Sequence, residues 1–192
     1  SYGEGKEKSC EITKDAVRRI MSELPIRSCS ALYLYGLRAL NDAVGGVRVT
    51  ILEDLDYKDP AMQKGVEVTL DGRMAERYIR ARARTPQGNL NRMERQKQYV
   101  KALMKKAMEQ IKKNPESILD IYNSIKNEVV TDLTTGEMLY LATAAANMTI
   151  APEIRTVPGE VRMSADNYVQ YDIDEAGLLE LLLSVYYIEC EE

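Results

Sequence analysis

The chain has 192 residues, of which 26 are basic and 30 are acidic, so its formal net charge is −4. It contains no histidine, which excludes a Ser–His or Cys–His nucleophile pair and argues against a structural zinc site. A hydrophobic fraction of 45% over this length is sufficient for the core of one domain.

Apolar periodicity and turn residues predict alternating helices and strands in the first part of the chain. In chain order, the predictions are a helix over 13–24, a strand over 30–35, a helix over 37–44, and strands over 47–52 and 66–70. Gly45 and Gly46 are predicted to end the second helix, because glycine commonly follows a helix C-terminus. Asp71 is predicted to cap a third helix, which ends near Arg80 before the chain extends.

The rest of the chain is predicted to be mainly helical. The predictions are a helix over 90–113 stopped by Asn114-Pro115, a helix with its apolar face over 118–125, a helix capped by Thr134 and Glu137, strands over 154–157 and 168–171, and a last helix capped by Asp174. Because strands and helices interleave, we predict an α/β protein with one mixed sheet. The longest apolar stretch, 177–188, is interrupted by Glu180 and is too short to span a membrane.

Arginine is concentrated between residues 73 and 97, where eight basic and two acidic residues give a net charge of +6 in an otherwise acidic chain. The basic residues are Arg73, Arg77, Arg80, Arg82, Arg84, Arg92, Arg95 and Lys97. The planar guanidinium offers paired donors that match two oxygens of a phosphate or carboxylate. The segment therefore predicts a localised anion site, with phosphate as the favoured ligand.

Two parts of this segment carry the predicted site. Arg80, Arg82 and Arg84 alternate with alanine, so all three side chains project to one side if the segment is extended. On the helix over 90–113, Gln96 falls inside the apolar arc and Arg92 at its edge. That arc consists of Met93, Val100, Leu103, Met104, Ala107 and Ile111. Because an unpaired buried charge is costly, we expect an internal carboxylate or a bound anion to meet Arg92. The alternative is a solvated basic face with weak surface ion pairs.

The three cysteines, Cys10, Cys29 and Cys190, have no metal-binding spacing. They are either free thiols or include a Cys10–Cys29 disulfide. The sequence leaves both alternatives open.

The stretch LDGRMAERYIRARARTPQGNLNRMERQKQYVKAL, residues 70–103, resembles the signature of the LytR–CpsA–Psr family. The residues at matching places are Tyr78, Arg80, Arg82, Gly88, Arg92, Arg95 and Gln96. The upstream stretch LNDAVGGVRVTILED, residues 40–54, is similar to a second family element. VPGE from Val157 and the closing helix DEAGLLELL are also family-like.

The resemblance implies an α/β/α sandwich with a central mixed sheet. It also implies a phosphotransferase that attaches a glycopolymer, such as teichoic acid or capsule, from a polyprenyl-pyrophosphate carrier to peptidoglycan at the outer face of the membrane of mainly Gram-positive bacteria. By position, Arg80, Arg82, Arg92 and Gln96 are implied as catalytic residues. The same four residues and Arg95 are implied as substrate-binding residues.

The resemblance further implies a Mg²⁺ cofactor whose ligands we expect outside this chain, since the family motifs that carry aspartates are absent from it. We therefore expect residues 1–192 to form a single LytR–CpsA–Psr-like domain that lacks its N-terminal strands and membrane anchor. Missing strands would leave sheet edges and apolar faces unpaired, so we expect a homodimer or a companion N-terminal fragment.

Two other functions remain as alternatives. One is a non-catalytic envelope module that binds phosphate or polyprenyl phosphate. The other is a transcriptional attenuator, although the acidic net charge and the lack of a helix-turn-helix pattern argue against nucleic acid binding. Six tyrosines and methionines either line a lipid tunnel or pack in the core, the commoner role of such positions. They are Tyr33, Tyr35, Tyr140, Met104, Met108 and Met138.

Overall fold

The computed structural model describes residues 6–82, 86–149, 154–166 and 168–187. Its helices and strands are, in chain order, α1 Lys6–Ile20, β1 Ser30–Leu32, α2 Leu34–Ala43, β2 Val47–Thr50, β3 Glu67–Leu70, α3 Gly72–Arg80, α4 Pro86–Lys113, α5 Ser117–Ile125, a 3-10 turn Lys126–Glu128, β4 Val129–Thr131, α6 Thr135–Ala146, β5 Gly159–Met163, β6 Val169–Ile173 and α7 Glu175–Tyr186. The chain divides into two compact units, one of residues 1–11 and 28–150 and one of residues 12–27 and 151–192.

The predicted α/β class is confirmed, but the strands pair differently from our expectation of one mixed sheet. In the described residues they form three two-stranded antiparallel ladders, β1 with β4, β2 with β3 and β5 with β6. Alternating side chains show where a strand lies, whereas its hydrogen-bond partner depends on contacts that are remote in sequence. Ser30, for example, pairs with Thr131, about a hundred residues away.

The core of the first unit is built around the β2–β3 ladder. Val47, Val49 and Leu70 are buried because alternate residues of β2 and β3 point to the same face. Helices α2, α3 and α4 pack on this core, which includes the fully buried ring of Tyr78. Burying such side chains stabilises the unit by about 1.5–3 kcal/mol each.

Local capping explains where several elements begin. The Asp71 carboxylate accepts a hydrogen bond from the Met74 amide at 2.8 Å and starts α3 as predicted. Thr134 and Glu137 form the predicted capping box of α6. Asp174 caps α7 through the Gly177 amide at 3.1 Å.

The predicted strand over 154–157 is wrong. Among the described residues, the chain becomes a strand only at Gly159, where it pairs with Ile173. Pro158 has no amide hydrogen to donate to a ladder, and its carbonyl instead accepts the Asp174 amide at 3.0 Å.

The apolar arc predicted for α4 marks its buried face only in part, since Ile111 is buried and Leu103 and Ala107 pack against the core. Met93, Val100 and Met104 are each more than 40% exposed, whereas Arg95 and Tyr99 are 1% exposed. The buried face tolerates these polar groups because each is hydrogen-bonded inside the protein. Apolar periodicity alone therefore predicted the buried positions of Leu103, Ala107 and Ile111 but not those of Arg95 and Tyr99.

The tyrosines and methionines proposed for a tunnel or the core are not a buried set. Tyr35 and Tyr140 are more than 70% exposed and Met104 is 46% exposed, so the core interpretation is wrong for these three. In the structure Cys10 and Cys29 are not joined by a disulfide, and Cys190 lies outside the described residues. Within the described part of the chain, no helix combines the length and apolarity needed to cross a membrane.

The second unit contains the β5–β6 ladder and α7. Val161, Met163, Val169 and Tyr171 alternate onto one face of the ladder and are about half exposed. On the opposite face Arg162 pairs with Asp172 at 2.7 Å. Leu178 and Leu182 are the buried residues of α7.

We predict that Gly72→Ala destabilises the first unit by about 1–3 kcal/mol, because added atoms in a packed site force the backbone to move. A Cβ at Gly72 would lie 2.6 Å from the Arg38 carbonyl oxygen and 2.7 Å from the Asp42 carboxylate. Gly136→Ala is the matched control, since a Cβ there meets nothing within 4 Å and alanine favours helix α6. Urea unfolding measures both free energies, and equal stability of the two variants would contradict this packing.

Candidate anion-binding site

Helix α3 presents a row of arginines. Arg73, Arg77 and Arg80 lie at positions i, i+4 and i+7, so they share one face of a helix with 3.6 residues per turn. After Arg80 the helix ends, because Ala81 takes an extended conformation with φ −53° and ψ 131°. The extended backbone carries Arg82 away from the helix axis, as predicted from the alternation with alanine.

These arginines line a cleft of about 500 Å³, which we call the basic cleft. Its described lining residues are Arg38, Lys58, Arg73, Glu76, Arg77, Arg80, Ala81 and Arg82. They come from α2, the loop between β2 and β3, α3 and the segment that follows α3. Six cations and one carboxylate thus face the same space.

Glu76 organises two of these cations. It is 6% exposed and forms ion pairs with Arg38 and with Arg80, the latter at 2.7 Å. The hydrogen bonds from Arg80 and then Arg38 lower the pKa of Glu76 below its ordinary value of 4.5. Glu76 is therefore a weak proton acceptor, and its role in the cleft is to hold two guanidinium groups in place.

The other cations differ in how they are held. Arg77 donates to the Asp59 carboxylate at 3.2 Å and to the Lys58 carbonyl oxygen at 3.3 Å, which ties α3 to the β2–β3 loop. The side chains of Arg73 and Arg82 are exposed and form no ion pair with another described residue. Their donors are available to a ligand.

The end of α3 is held in place by α4. Arg95 donates to the carbonyl oxygens of Tyr78, at 2.9 Å, and of Ala81, and it pairs with Glu53. Gln96 donates to the Ile79 carbonyl oxygen at 3.2 Å. The last carbonyl groups of a helix have no partners within it and carry partial negative charge, so a buried guanidinium there satisfies them. Burial lowers the pKa of Arg95.

A second contact fixes α3 against α4 and β2. The Tyr78 hydroxyl donates to the Gln98 side chain at 2.7 Å, and Gln98 donates to the Thr50 carbonyl oxygen at 2.8 Å. Burial raises the pKa of Tyr78 to about 12, so the hydroxyl remains a donor at neutral pH. The course of the chain around Arg80 and Arg82 is therefore set by a rigid, hydrogen-bonded support.

The structure separates the predicted site residues into two groups. Arg80 and Arg82 line the basic cleft, whereas Arg92, Arg95 and Gln96 are not among its described lining residues. Arg95 and Gln96 instead bind backbone carbonyls of the segment that carries the first two. Arg84 belongs to residues outside the described part of the chain.

Arg92 has a buried nitrogen without a partner, as expected for a charged residue at the edge of the apolar arc. It is half-buried, and its Nε atom is buried without a hydrogen-bond partner in the described structure. Arg92 precedes Gln96 by four residues, so both lie on the same face of α4. Because Gln96 reaches the Ile79 carbonyl, this face is directed to the end of α3.

The site predicted from the sequence leaves out the cleft carboxylate, Glu76, and four of the cleft cations, which are Arg38, Lys58, Arg73 and Arg77. The i, i+4, i+7 spacing of Arg73, Arg77 and Arg80 was a usable signal, since it places them on one helix face. Arg38 and Lys58 carried no such signal. They reach the cleft because α2 packs against α3 and because Arg77 binds the loop beside Lys58.

The described residues do not fit a magnesium site. Among them, no group of three aspartate, glutamate, cysteine or histidine side chains is placed to hold a metal ion. The cleft carboxylate, Glu76, is already engaged by two arginines.

The lowered pKa of Glu76 predicts that part of the free energy of unfolding is lost at acidic pH. Because folding favours the ionised form, the ion pairs stabilise the protein above the ordinary pKa of 4.5, and this contribution disappears as pH falls through the folded-state value. We expect Glu76→Gln to lose about 1–2 kcal/mol at neutral pH and to approach the parent in strong acid. Glu180→Gln, at an exposed position, is the control. A stability difference between Glu76→Gln and the parent that does not change with pH would contradict this assignment.

Comparison with known proteins identifies the family. A sequence model of the LytR_cpsA_psr (LytR–CpsA–Psr) family matches residues 9–183. This chain belongs to the LytR–CpsA–Psr family.

A Bacillus cereus relative named polyisoprenyl-teichoic acid–peptidoglycan teichoic acid transferase TagU is 29% identical over 160 residues, which cover 82% of this chain and 51% of the relative. A protein of the same name from Oceanobacillus iheyensis is 35% identical over 122 residues, covering 62% and 37%. The chain spans about half the length of the curated relatives it matches.

Solved structures of the LytR–CpsA–Psr family share the fold. A structure described as TagT bound to LI-WTA has a TM-score of 0.70 and 18% identity, covering 96% of this chain and 71% of that one. Bacillus subtilis TagU has a TM-score of 0.61 and 22% identity, covering 91% and 70%. The expected LytR–CpsA–Psr fold is therefore confirmed.

Proposed function

We propose that this chain supplies the phosphate-binding residues of a phosphotransferase. This enzyme transfers a glycopolymer from a polyprenyl-pyrophosphate carrier to peptidoglycan. The observation that carries the proposal is the basic cleft, where six cations surround one engaged carboxylate. Two relatives are named as transferases of polyisoprenyl-linked teichoic acid to peptidoglycan, which supports the same chemistry here. The family match runs through both compact units and supports our proposal that residues 1–192 form one domain.

The cleft would assist phosphoryl transfer by electrostatics. In such reactions, catalysis depends mainly on positioning the phosphoryl group and neutralising the charge that its oxygens carry in the transition state. We propose that Arg82, whose donors are available, binds the pyrophosphate directly. Arg80 uses one nitrogen for Glu76 and keeps other donors for the same ligand. Pre-orientation by Glu76 reduces the reorganisation needed when the ligand binds.

We propose different roles for the three predicted residues on α4. Arg92 has an unpartnered buried nitrogen on the face that is directed to the end of α3, so it is the α4 candidate for contact with the pyrophosphate. Arg95 positions the segment that carries Arg80 and Arg82, since its guanidinium forms an ion pair with Glu53 and donates hydrogen bonds to two backbone carbonyl oxygens of that segment. Gln96 assists by binding the Ile79 carbonyl.

We further propose where the protein acts and which additional groups complete its site. The outward-facing location, the membrane anchor and the peptidoglycan acceptor follow from the proposed reaction. So does a Mg²⁺ ion, with ligands beyond the described residues. A homodimer or a companion fragment is proposed as the form in which the site is complete.

The proposal is tested by binding and transfer measured on the same preparation. We expect calorimetry to show tighter binding of a soluble prenyl pyrophosphate than of the matching monophosphate, since the cleft offers donors for two phosphates. Absence of that preference would refute the proposal. Binding without transfer, when magnesium, lipid-linked polymer and peptidoglycan are supplied, would instead favour a non-catalytic envelope module. Steeply salt-dependent binding of duplex DNA, tighter than pyrophosphate binding, would favour the attenuator role.

A further inference from the structure

We propose that the protein has a second ligand site, separate from the basic cleft, which binds a peptide of the acceptor. The ligand is a peptide that carries a carboxylate, an ammonium group and a second carboxylate in turn, as the stem peptides of peptidoglycan do. This inference rests on the proposed function, since it takes peptidoglycan as the acceptor. The site is a cleft of about 410 Å³, which we call the α2–α4 cleft. Its described lining residues are residues 42–45, at the end of α2, and Lys106, Glu109, Gln110, Lys113 and Asn114, in the second half of α4 and just after it.

One face of α4 forms a wall of this cleft. Lys106, Glu109, Gln110 and Lys113 follow the spacing i, i+3, i+4 and i+7, so they lie on the same side of the helix. The Gln110 side chain donates to the Ala43 carbonyl oxygen at 3.4 Å and joins this face to the end of α2. The two clefts share no lining residue in the described structure, so they are different sites.

The charged groups on this face are not used by the fold. Lys106, Glu109 and Lys113 are exposed, and among the described residues they form neither an ion pair nor a side-chain hydrogen bond. Lysine near a helix C-terminus commonly binds the last carbonyl groups, which is the structural alternative for both lysines. In the described structure neither ammonium group donates to a carbonyl of α2 or α4. Their donors are therefore available to a ligand.

The order of the charges indicates the class of ligand. Along α4 the charges are positive, negative and positive, with about 4.5 Å of helix axis from Lys106 to Glu109 and about 6 Å from Glu109 to Lys113. These spacings lie between one and two residues of an extended peptide, which advances about 3.3–3.6 Å per residue. A peptide with the opposite order of charges therefore matches this face.

The net charge separates this cleft from the basic cleft. The carboxylates of Asp42 and Glu109 balance the ammonium groups of Lys106 and Lys113, so the α2–α4 cleft is neutral overall. A polyanion such as pyrophosphate gains little there, because each carboxylate repels it. A ligand that carries both signs of charge can pair with all of these groups.

The position of the α2–α4 cleft suits an acceptor. Asp42 lines it, and Arg38, about 6 Å earlier along α2, lines the basic cleft. The Asp42 carboxylate also accepts the amide of Gly72, the first residue of α3, at 2.8 Å. Arg80 lies about 12 Å further along α3. A short glycan with its peptide is long enough to extend from one cleft to the other.

The test is a nuclear magnetic resonance titration of the isotope-labelled protein with a soluble peptide. The probe is N-acetyl-L-alanyl-γ-D-glutamyl-L-lysyl-D-alanine, whose charges follow the required order. The comparison probe is the same peptide with its lysine side chain acetylated. The test variant is Lys106→Gln with Lys113→Gln. The control is Lys105→Gln with Lys112→Gln, which removes two exposed lysines at the same spacing on α4 that line neither cleft in the described structure.

We expect the probe to shift the amide signals of Gly45 and Gln110, which line the cleft. The test variant should bind the probe about three- to tenfold more weakly than the parent, as for the loss of two exposed ion pairs. The control should stay within about twofold of the parent. Acetylation of the probe should weaken its binding to the parent, because the ammonium group is lost. Prenyl pyrophosphate should bind the test variant as tightly as it binds the parent.

Four results would overturn the inference. Equal weakening in the test variant and the control would mean non-specific attraction. An acetylated probe that binds as tightly as the free one would mean that the ammonium group is not recognised. Signal changes confined to residues outside the α2–α4 cleft would place the peptide elsewhere. Absence of peptide binding, with prenyl pyrophosphate binding intact, would remove this inference and leave the proposed function standing. Absence of prenyl pyrophosphate binding would instead overturn the proposed function and, with it, the acceptor role of this cleft.

Discussion

Arg82→Ala will weaken binding of a prenyl pyrophosphate by about 10- to 150-fold, corresponding to the loss of one charge-assisted contact of about 1.5–3 kcal/mol. The Arg82 side chain lines the basic cleft, is exposed and has no ion pair with a described residue, so its removal takes away a ligand contact and little else. We therefore expect the free energy of unfolding to stay within about 0.5 kcal/mol of the parent value. Calorimetric titration and urea unfolding give the two quantities.

Arg48→Ala is the matched control for this variant. Arg48 is an exposed arginine of the same unit, on β2, and its ion pair with Glu67 is long at 3.5 Å. It does not line the basic cleft in the described structure, so pyrophosphate binding should remain within about twofold. If Arg82→Ala and Arg48→Ala had the same effect on binding, the basic cleft would not be the pyrophosphate site.

Arg95→Met will destabilise the protein by about 3 kcal/mol, the lower end of the range for removing one partner of a buried ion pair. The lower end applies because Glu53 is 31% exposed and water can solvate it after the mutation. The variant also leaves the carbonyl oxygens of Tyr78 and Ala81 without their donor. Methionine preserves much of the side-chain volume, so the loss reports on polar contacts rather than on a cavity.

Lys97→Ala is the control on the same helix. Lys97 forms an ion pair with the exposed Glu94 at 3.0 Å, a type of contact that contributes about 0.5 kcal/mol. We further expect Arg95→Met to weaken pyrophosphate binding at a temperature where it is fully folded, although Arg95 does not line the cleft. Parent-like stability of Arg95→Met would contradict the structural role. Parent-like binding would show that Arg80 and Arg82 do not need this support.

Arg95 also shows the limit of reasoning from residue type. Its place in an arginine-rich motif predicts contact with the substrate, and the spacing of apolar residues along α4 directs a different face to the core. In the structure Arg95 is among the largest fully buried side chains. A guanidinium can occupy the interior because it forms an ion pair with Glu53 and donates to two backbone carbonyls, and those groups lie 14 to 42 residues away in sequence.

Features that depend on near neighbours were predictable from the sequence. The caps at Asp71, Thr134 and Asp174, the alternation of β2 and β3, and the end of α3 before the extended Arg82 all involve residues within a few positions of one another. Local sterics and hydrogen bonds determine such features, so the residue order is sufficient. The density of arginine, and hence the expectation of an anion site, is likewise a property of composition.

The tertiary structure alone decided which guanidinium groups remain available to a ligand. Glu76 binds Arg38, 38 residues earlier, together with Arg80, and Glu53 binds Arg95, 42 residues later, while Arg73 and Arg82 are left with exposed donors. Ion pairing depends on distance in space and on burial, and neither is encoded in the spacing of charges along the chain. The sequence by itself thus determined that arginine is concentrated between residues 73 and 97, and the packing of α2, α3 and α4 determined which of these guanidinium groups keep exposed donors.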